Sequence, residues 1–373
     1  MAARRPRGRS GRDTGRVGWP QHRLCRRSAD RRAQLDLLQR QRLRRDRRRP
    51  GRAGGGRLMR VRAWREDESA RWDTLVSESY GATFLHTRRY LSYHGSRFVD
   101  RSLVIEDGAR WLGVIPLAQD PADRSIVVSH PGLTYGGVLH DGALRGEAMV
   151  RALDLALAEL RAHGHAQLRY KPVLSIYALA PAQDDLYALF RLGARLVRSD
   201  LSSCIDLAHR LPASERRRRA LKKAHEQGMT LVTGREQLAR LWPVLEDNLS
   251  RAHGLKPVHT VAEIETLADR FPRQVRCLVA ERERQVLAGL VLYLSPRVVH
   301  AQYIASSEQG QVLHAPDLIF QRAIDDAQAM GARYFDFGVS TIEQGRVLNQ
   351  GLHRFKSEFG AGGLVYEHYE VNL

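Results

Sequence analysis

Residues 334–340 read YFDFGVS, and residues 351–360 read GLHRFKSEFG. The first stretch has the pattern of a buried strand that ends at a small residue, and the second has the pattern of a helical turn. In that turn Lys356 stands between two phenylalanines of the sequence. Burying an ammonium group among aromatic rings is costly unless an anion or a dipole meets it. Lys356 is therefore the first residue for which the sequence predicts a function.

A regular series of elements leads up to this strand. Pro316 is expected to open a helix that Gly331 closes, because proline is favoured at the first helical position and glycine just after the last one. Three predicted strands precede the helix and one follows it, over residues 275–280, 286–294, 298–305 and 333–337.

The first half of the chain has the same order of elements. Three predicted strands come before an amphipathic helix over residues 146–162, which Gly164 caps, and a strand over residues 166–170 follows. The sequence thus predicts two copies of one α/β unit. The expected fold class is α/β of the α+β kind, with two domains, residues 59–190 and 191–373, each a mixed twisted sheet flanked by helices.

The formal net charge of +19 is concentrated at the N-terminus. Residues 1–58 hold 20 arginines, no lysine and four aspartates, whereas the rest of the chain holds 40 basic and 37 acidic side chains. A stretch of this composition buries too little apolar surface to fold, so it is predicted to be a disordered basic tail. It is interpreted either as an arm that binds RNA or a membrane, or as the product of a start assigned too early. Because the body is nearly neutral, no stable DNA binding is expected.

The cysteines and the hydropathy pattern indicate the cellular compartment. Cys25, Cys204 and Cys277 are far apart, and their spacing fits neither a disulfide framework nor a metal site. No apolar run approaches the roughly 18 residues that a membrane span requires, and no secretory signal pattern is present. We expect a cytoplasmic protein without a metal site, for which peripheral contact with a membrane stays open.

Five segments, in order along the chain, resemble FemAB-like acyltransferases of the GNAT superfamily. They are TFLHTRRYLSYH at 83–94, PGLTYGG at 131–137, the basic run at 216–223, DFG at 336–338 and FK at 355–356. The resemblance covers the chain from about residue 59 to its end. It implies a tandem pair of GNAT-like domains and an acyltransferase. The better-known members of this family transfer an aminoacyl group from tRNA to an amine of a cell-wall precursor.

The resemblance leaves two donor substrates open, acyl-CoA and aminoacyl-tRNA. Acyl-CoA normally binds a loop of pattern Q/R-x-x-G-x-G/A, whose backbone amides hold the pyrophosphate at a helix N-terminus. The corresponding residues 306–316 read SSEQGQVLHAP, with one glycine and a proline that removes an amide. This departure weakens the acyl-CoA alternative.

Acyl transfer to an amine needs a proton acceptor and a positive partner for the oxyanion. The resemblance implies that Lys356 lies beside the acyl carbonyl and stabilises the oxyanion; the alternative is a solvated lysine on a C-terminal helix. Asp336 alternates with Phe335 and Phe337 along the strand, so it faces the other way. If it faces the cleft, it orients or deprotonates the amine; the alternative is a buried carboxylate bonded to amides or to an arginine.

A basic stripe is the first candidate for substrate binding. Arg216, Arg219 and Lys223 recur on one face of a predicted helix. Because the guanidinium fork suits phosphate oxygens, this face would fit a nucleotide sugar or the acceptor end of a tRNA. The alternative is an ordinary solvated helix face.

Other candidates for substrate contact lie at strand ends and in loops. Arg169 and Lys171 finish a predicted strand, where ligands often bind in α/β folds. Tyr135 precedes two glycines whose amides could meet an anion. Tyr303 flanks the presumed donor loop, and Phe355 precedes Lys356.

The sequence therefore predicts an enzyme that moves an acyl or aminoacyl group to an amino group of a cell-envelope glycan or peptidoglycan precursor. One alternative is an acyl-CoA-dependent N-acetyltransferase of a small amine or amino sugar. A second is a non-catalytic protein that binds nucleic acid through the basic tail.

Overall fold

The structure, a computed structural model, describes residues 59–373. The predicted basic tail, and with it the nucleic-acid alternative, falls on residues 1–58 and lies outside the described residues.

The described residues contain fifteen strands. In chain order they are β1 (Met59–Ala63), β2 (Leu103–Asp107), β3 (Arg110–Ile115), β4 (Ala118–Gln119), β5 (Ile126–Val128), β6 (Gln167–Tyr170), β7 (Arg195–Asp206), β8 (Thr230–Thr233), β9 (Val275–Arg282), β10 (Gln285–Leu294), β11 (Val298–Ser306), β12 (Tyr334–Val339), β13 (Thr341–Ile342), β14 (Val347–Leu348) and β15 (Gly362–Asn372).

Ten α-helices and three short 3-10 segments connect these strands within the described range. The helices are α1 (Ser69–Glu78), α2 (Arg88–Leu91), α3 (Glu147–Ala162), α4 (Asp184–Arg191), α5 (Glu215–His225), α6 (Gln237–His253), α7 (Val261–Arg270), α8 (Glu308–Val312), α9 (Ala315–Ala329) and α10 (Gln350–Ser357). The 3-10 segments are Glu66–Glu68, Phe84–His86 and Ser92–Arg97.

One mixed sheet of ten strands positions the rest of the molecule. Its strand order is β4-β5-β6-β15-β7-β12-β11-β10-β9-β8. A separate three-stranded antiparallel sheet holds β1, β2 and β3, and β13 pairs with β14. Most neighbours in the large sheet are antiparallel, and short turns join β9 to β10 and β10 to β11.

Two parallel pairs in the large sheet come from equivalent units. β5 pairs with β6 across the crossover helix α3, and β11 pairs with β12 across α9. A parallel pair needs such a long crossover, because a tight turn reverses chain direction. These units match the two strand–helix–strand series that the sequence predicts, and the mixed sheet flanked by helices is confirmed.

Two neighbouring strands near the middle of the sheet, β15 and β7, join the units. β15, the last strand of the chain, pairs with β6 on one edge and with β7 on the other. β7 in turn pairs with β12. The sheet is therefore continuous from the first unit to the second, and the domain boundary predicted between residues 190 and 191, at the end of α4, stays a prediction.

The helix α9 illustrates how the sequence builds the core. Its apolar residues recur at helical spacing and face the sheet, with Phe320 and Ile324 fully buried. Phe320 packs against Phe335 and Phe337 of β12. Full burial of each such side chain stabilises the fold by about 1.5–3 kcal/mol. This cluster holds β12 against the helix.

In residues 59–373, none of the helices combines the length and the apolar character that crossing a membrane would take.

Candidate functional site

A cavity opens where the parallel strands β11 and β12 separate. The strands pair at three positions, the last of which sets His300 opposite Asp336. Beyond it β12 follows β7 on its other edge, with a register shift between Asp336 and Val339. The resulting space has a volume of about 630 Å³, within the range of about 300–1,000 Å³ that small-molecule sites occupy. Crevices at the carboxyl ends of strands are the usual ligand sites of open α/β sheets.

The cavity is lined by both strands and by the segments around them. Its charged and polar lining includes three lysines, one arginine, one aspartate, two histidines and two tyrosines: Lys171, Lys256, Lys356, Arg198, Asp200, His300, His368, Tyr303 and Tyr366. Asp200 accepts hydrogen bonds from Arg198 Nε at 2.6 Å and from Thr341 Oγ1 at 2.8 Å. Its charge is thus used within the protein, and the lining presents mainly cationic groups to a substrate.

Lys356 projects into this cavity from α10. Asn349 caps that helix by accepting a hydrogen bond from the Leu352 amide at 3.0 Å. The Lys356 side chain is buried, and Nζ donates to the carbonyls of Gly338 at 2.8 Å and Val339 at 2.7 Å. An ammonium has three donors, so one N–H remains for the cavity. The structure places Lys356 in a cavity rather than on a solvated face; its oxyanion role stays a prediction.

The charge state of Lys356 depends on pH near neutrality. Burial lowers its pKa from 10.5 to about 8, and the nearby Asp336 charge offsets part of that effect. The ammonium form therefore predominates at pH 7 but not at pH 9. A cation whose solvation has been replaced by fixed carbonyl dipoles is a suitable partner for a developing oxyanion.

Asp336 lies behind the cavity wall and is fully buried. Its Oδ1 accepts from Ser202 Oγ at 2.6 Å and from the Gly338 amide at 3.1 Å. Its Oδ2 accepts from His300 Nδ1 at 2.8 Å and from the Tyr366 hydroxyl. Burial alone would raise its pKa, but the interaction with His300 and the hydrogen bonds outweigh burial and hold the pKa below its usual value.

These contacts give Asp336 an indirect role. Both oxygens are occupied by protein donors, so the carboxylate has no open position from which to take a proton from a substrate. The alternative of a buried, hydrogen-bonded carboxylate describes its surroundings better than direct contact with the amine. Its predicted catalytic role stays a prediction, and the geometry favours action through the imidazole that it holds.

His300, which sequence reasoning missed, is the residue that Asp336 holds. Its ring borders the cavity, whereas Asp336 does not. Because the ionised carboxylate only accepts, Nδ1 must carry the ring proton in the neutral imidazole. The Nε2 lone pair is then left for the cavity. The signal available in the sequence was a histidine on a predicted strand next to the strand of Asp336, but their register depends on the sheet.

The remaining predicted contacts are divided between the cavity and other places. Lys171 and Tyr303 line the cavity. Arg169 instead pairs with Asp120 and Glu370, each at 3.1 Å, on the sheet surface. Tyr135 is buried in the protein, and its hydroxyl donates to Thr83 Oγ1 at 3.3 Å.

Lys171 is the second buried ammonium of the cavity. Its Nζ donates to the carbonyl of His130 at 3.0 Å and to that of Leu133. Burial, and secondarily the charge of Arg198, lowers its pKa to about 7. These two bonds tie the 130–133 loop, whose Leu133 borders the cavity, to the end of β6.

The predicted basic stripe lies on α5, mostly away from the cavity. Arg219 and Lys223 are exposed and line neither this cavity nor its neighbour. Arg216 borders a second cavity of about 420 Å³ and pairs with Glu358 at 3.0 Å. Phe355 also borders that second cavity. The three stripe residues are therefore not brought together around one site.

The buried member of the basic run is Arg217, which the stripe omitted. Its guanidinium pairs with Asp317 and with Glu358. It also stacks on the rings of Phe355 and Phe359, and its central carbon, Cζ, lies 4.3 and 4.4 Å from the two ring centroids. Arg217 thus fastens α5, α9 and α10 to one another.

The second cavity adjoins the first, because Asn248 and Ile304 line both. Several residues of the segment 306–316, which corresponds to the pyrophosphate-binding loop of acyl-CoA enzymes, line this second cavity. That segment contains the short helix α8, so its backbone amides are largely used within the chain. The amides of Gly310 and Gln311 both donate to Ser307, to its hydroxyl and its carbonyl respectively. The Leu313 amide donates to the Gln309 carbonyl, and the His314 amide donates to the Gln311 carbonyl.

The start of α9 offers an anion little more. Pro316 has no amide hydrogen, and the Asp317 amide donates to the His314 carbonyl at 3.1 Å. The Asp317 side chain borders the second cavity, and its carboxylate is paired with Arg217. The geometry at this helix start therefore agrees with the departure from the acyl-CoA loop pattern.

Comparisons with known proteins extend these observations. Residues 213–357 match the family model described as an acetyltransferase (GNAT) domain. No curated protein sequence matches this chain significantly.

Solved structures share the fold at low sequence identity. FemX superimposes with a TM-score of 0.60 and 13% identity, over 84% of this chain and 97% of the FemX chain. L-PGS from Bacillus licheniformis has a TM-score of 0.54 and 13% identity, over 82% and 90% of the two chains. A conserved protein of unknown function from Bacteroides thetaiotaomicron has a TM-score of 0.54 and 10% identity, over 85% and 100%. The chain therefore shares the fold of FemX, and residues 213–357 match a GNAT-type acetyltransferase domain.

Proposed function

We propose that this protein transfers an acyl or aminoacyl group to an amino group in the cavity between β11 and β12. The observation that carries the proposal is the presence of a buried ammonium, Lys356, and a carboxylate-held imidazole, His300, in the lining of one cavity. The matched GNAT domain contains both residues.

The two groups have complementary tasks. His300 Nε2 accepts a proton from the acceptor nitrogen as that nitrogen attacks the acyl carbonyl. A positioned proton acceptor of this kind typically contributes about 10²–10⁴-fold to a rate. The free N–H of Lys356 donates to the oxygen that becomes negative, and loss of one such donor typically costs about 10²–10³-fold in kcat. Collapse of the tetrahedral intermediate then breaks the bond to the leaving group.

The cationic lining favours an acceptor that also carries an anionic group. Arg198 is half-buried, and only its Nε is used, in the bond to Asp200. Neither of its terminal nitrogens has a hydrogen-bond partner among residues 59–373. A phosphate or carboxylate could accept from both in a fork-like pair. Precursors of envelope glycans and of peptidoglycan combine an amine with such groups, and this class is the acceptor that we propose.

The donor that we propose is an aminoacyl ester such as aminoacyl-tRNA. The amides of residues 310–314 that donate within the chain, and the missing amide hydrogen of Pro316, oppose the binding of a pyrophosphate at the start of α9. Arg216, an exposed residue of α5, borders the second cavity, and the basic helix that carries it would suit an extended polyanion. The acyl-CoA-dependent alternative requires that the pyrophosphate of the donor bind elsewhere than at the start of α9.

A transfer assay with the full chain tests the proposal. The donors are a labelled aminoacyl-tRNA pool and acetyl-CoA, and the acceptors are a UDP-linked muramoyl peptide and a UDP-linked amino sugar. We expect transfer by the wild type from aminoacyl-tRNA, and at least a hundredfold slower transfer by Lys356→Ala and His300→Asn. His163→Asn, at the exposed C-terminal cap of α3, and Arg322→Ala, on the exposed face of α9, serve as matched controls.

The outcomes separate the alternatives. Transfer from acetyl-CoA but not from aminoacyl-tRNA would establish the acyl-CoA alternative and contradict the proposed donor. Unchanged turnover in both site variants would remove the proposed site, and no transfer from either donor to either acceptor would contradict the proposed function itself.

A further inference from the structure

Three side chains form a continuous hydrogen-bonded chain that ends at the cavity. Tyr303 on β11 borders the cavity. Its hydroxyl is 2.5 Å from His259 Nδ1, in the connection between α6 and α7. The other ring nitrogen, His259 Nε2, is 2.8 Å from the hydroxyl of Tyr93 in the 3-10 segment Ser92–Arg97.

A bulge in β11 brings Tyr303 to the same cavity as His300. Side chains three positions apart on a regular strand face opposite sides of the sheet. Here Val291 of β10 pairs with Tyr303 and its neighbour Leu292 pairs with Ala301, so Gln302 is an extra residue. Such an insertion changes the alternation and re-aims the side chains around it. The two titratable side chains of β11 therefore line one space.

The hydrogen-bonding capacity of the Tyr303 hydroxyl decides where its proton points. The backbone amide of His259 donates to that oxygen at 3.2 Å. If Nδ1 of the His259 ring also carries a proton and donates it, both lone pairs of the hydroxyl are used. The hydroxyl hydrogen is then free to point into the cavity. In the other tautomer, Tyr303 donates to Nδ1, and Nε2 donates to Tyr93.

The surroundings of His259 keep both tautomers available. The ring is 5% exposed, and this burial lowers its pKa to about 4. A neutral imidazole donates at one nitrogen and accepts at the other, which an imidazolium does not. The charged groups near it are Glu263 and Arg97, which pair with each other and so offset one another. Tyr93 is only half-buried, so the chain leads from the buried cavity toward solvent.

We propose that Tyr303 is a further catalytic residue, the proton donor to the leaving oxygen of an acyl ester, and that His259 and Tyr93 are positioning residues that return a proton to it. This inference rests on the proposed function and adds a residue on the leaving-group side. The oxyanion and amine-side tasks remain with Lys356 and His300.

The proposed step balances as follows. The carbon–oxygen bond of the tetrahedral intermediate breaks, and its electron pair goes to the leaving oxygen, which takes the proton of the Tyr303 hydroxyl. The phenolate takes the Nδ1 proton of His259, Nε2 takes the hydroxyl proton of Tyr93, and Tyr93 takes one from water. His300 releases to water the proton that it took from the amine.

Two readouts test the chain of residues, and the first needs no substrate. Nitrogen-15 NMR of imidazole-labelled full-length protein reports the protonation of both ring nitrogens of His259, which is assigned by its loss in His259→Gln. We expect a neutral ring with both tautomers populated at pH 7. Tyr93→Phe should shift the balance toward the Nε2-protonated form, because the donor to Nε2 is lost. A ring that stays in one tautomer in both proteins, or that is protonated at pH 7, would overturn the relay.

The second readout separates proton donation from packing. We expect Tyr303→Phe to slow transfer from an alkyl acyl ester, aminoacyl-tRNA, by about a hundredfold, the size of effect usual for a positioned acid. Transfer from a nitrophenyl ester of the same amino acid should change less than threefold, because that leaving group needs no proton. Tyr334→Phe, a half-buried tyrosine of β12 that lines neither cavity, is the matched control.

Each kinetic outcome has one meaning. Equal losses with both esters would overturn the acid role of Tyr303 while leaving the proposed function in place. A wild type that transfers from neither ester would contradict the proposed function, and the catalytic role of Tyr303 with it.

Discussion

His300 and Asp336 face each other at the last paired position of two parallel strands, and the imidazole Nδ1 lies 2.8 Å from the carboxylate Oδ2. One step further along, the strands separate and the cavity begins. The pair therefore stands at the boundary between a rigid sheet and a space for substrate. The sheet fixes its geometry without any loop.

The first prediction concerns this pair. His300→Asn removes the proton acceptor and should lower kcat by about 10²–10⁴-fold. Asp336→Asn should lower it by a similar factor, because an amide no longer fixes the proton on Nδ1. The double variant should be little worse than either single one, since residues that act as a unit are not additive. Steady-state kinetics of the four proteins gives the answer, and losses that multiply would argue for independent roles.

The second prediction is a pH dependence that originates in Lys356. The oxyanion role needs the ammonium, whose pKa is lowered to about 8 by burial. We expect kcat/KM to fall as pH rises above 8 in the wild type. Lys356→Arg keeps its charge in this range, so any activity that it retains should lack that decline. Persistence of the decline in the arginine variant would assign it to another group, such as Lys171 with its pKa of about 7.

The third prediction is that the same pKa shift of Lys356 makes the free energy of unfolding depend on pH. Between pH 8 and 10.5 the unfolded chain holds the Lys356 proton and the folded protein does not, so the free energy of unfolding must rise with pH. Relative to Lys356→Met, the wild type should gain up to about 3 kcal/mol across that window. Urea unfolding at pH 7.5, 9 and 10 measures the difference. A difference that does not vary with pH would show that the lysine keeps its ordinary pKa.

The fourth prediction concerns the backbone where β12 ends. Gly338 has a φ of +76°, a conformation that costs other residues about 1–2 kcal/mol. Its amide donates to Asp336 and its carbonyl accepts from Lys356. Gly338→Ala should therefore lower the free energy of unfolding by about 1–2 kcal/mol and reduce turnover as well.

The control for that substitution is Gly362→Ala in β15, where an added Cβ meets open space and φ is not positive. It should change the free energy of unfolding by less than about 0.5 kcal/mol, as most surface substitutions do. Equal effects of the two alanines, in unfolding and in turnover, would mean that the turn at Gly338 is not constrained.

Local pattern in the sequence accounts for much of the fold. The helices predicted at 146–162 and from Pro316 to Met330 appear as Glu147–Ala162 and Ala315–Ala329. Their apolar spacing and their closing glycines are properties of neighbouring residues, so they can be recognised without knowledge of the rest of the chain. The strands of both units were recognised for the same reason.

Two neighbouring strands of the sheet, β7 and β15, were missed, for the opposite reason. β7 and β15 are joined to their partners by pairing between residues far apart in the chain, such as Tyr369 with Tyr170. β15 also carries Tyr366, whose hydroxyl donates to Asp336. No local pattern of apolar residues reports such a pairing, because register is set between strands rather than along them.

The candidate site divides along the same line. The sequence alone made Lys356 a candidate, because an ammonium among phenylalanines is unusual wherever it lies, and it predicted the two strand–helix–strand units from their periodicity. Only the tertiary structure paired His300 with Asp336, joined Tyr303 to His259 and Tyr93, and separated Arg219 and Lys223 from the cavity. The physical reason is that the periodicity of helices and strands, and the free-energy cost of burying a charge, are properties of residues close together in the chain. Which distant side chains meet is decided instead by the register between strands, by bulges and by the place where two parallel strands separate.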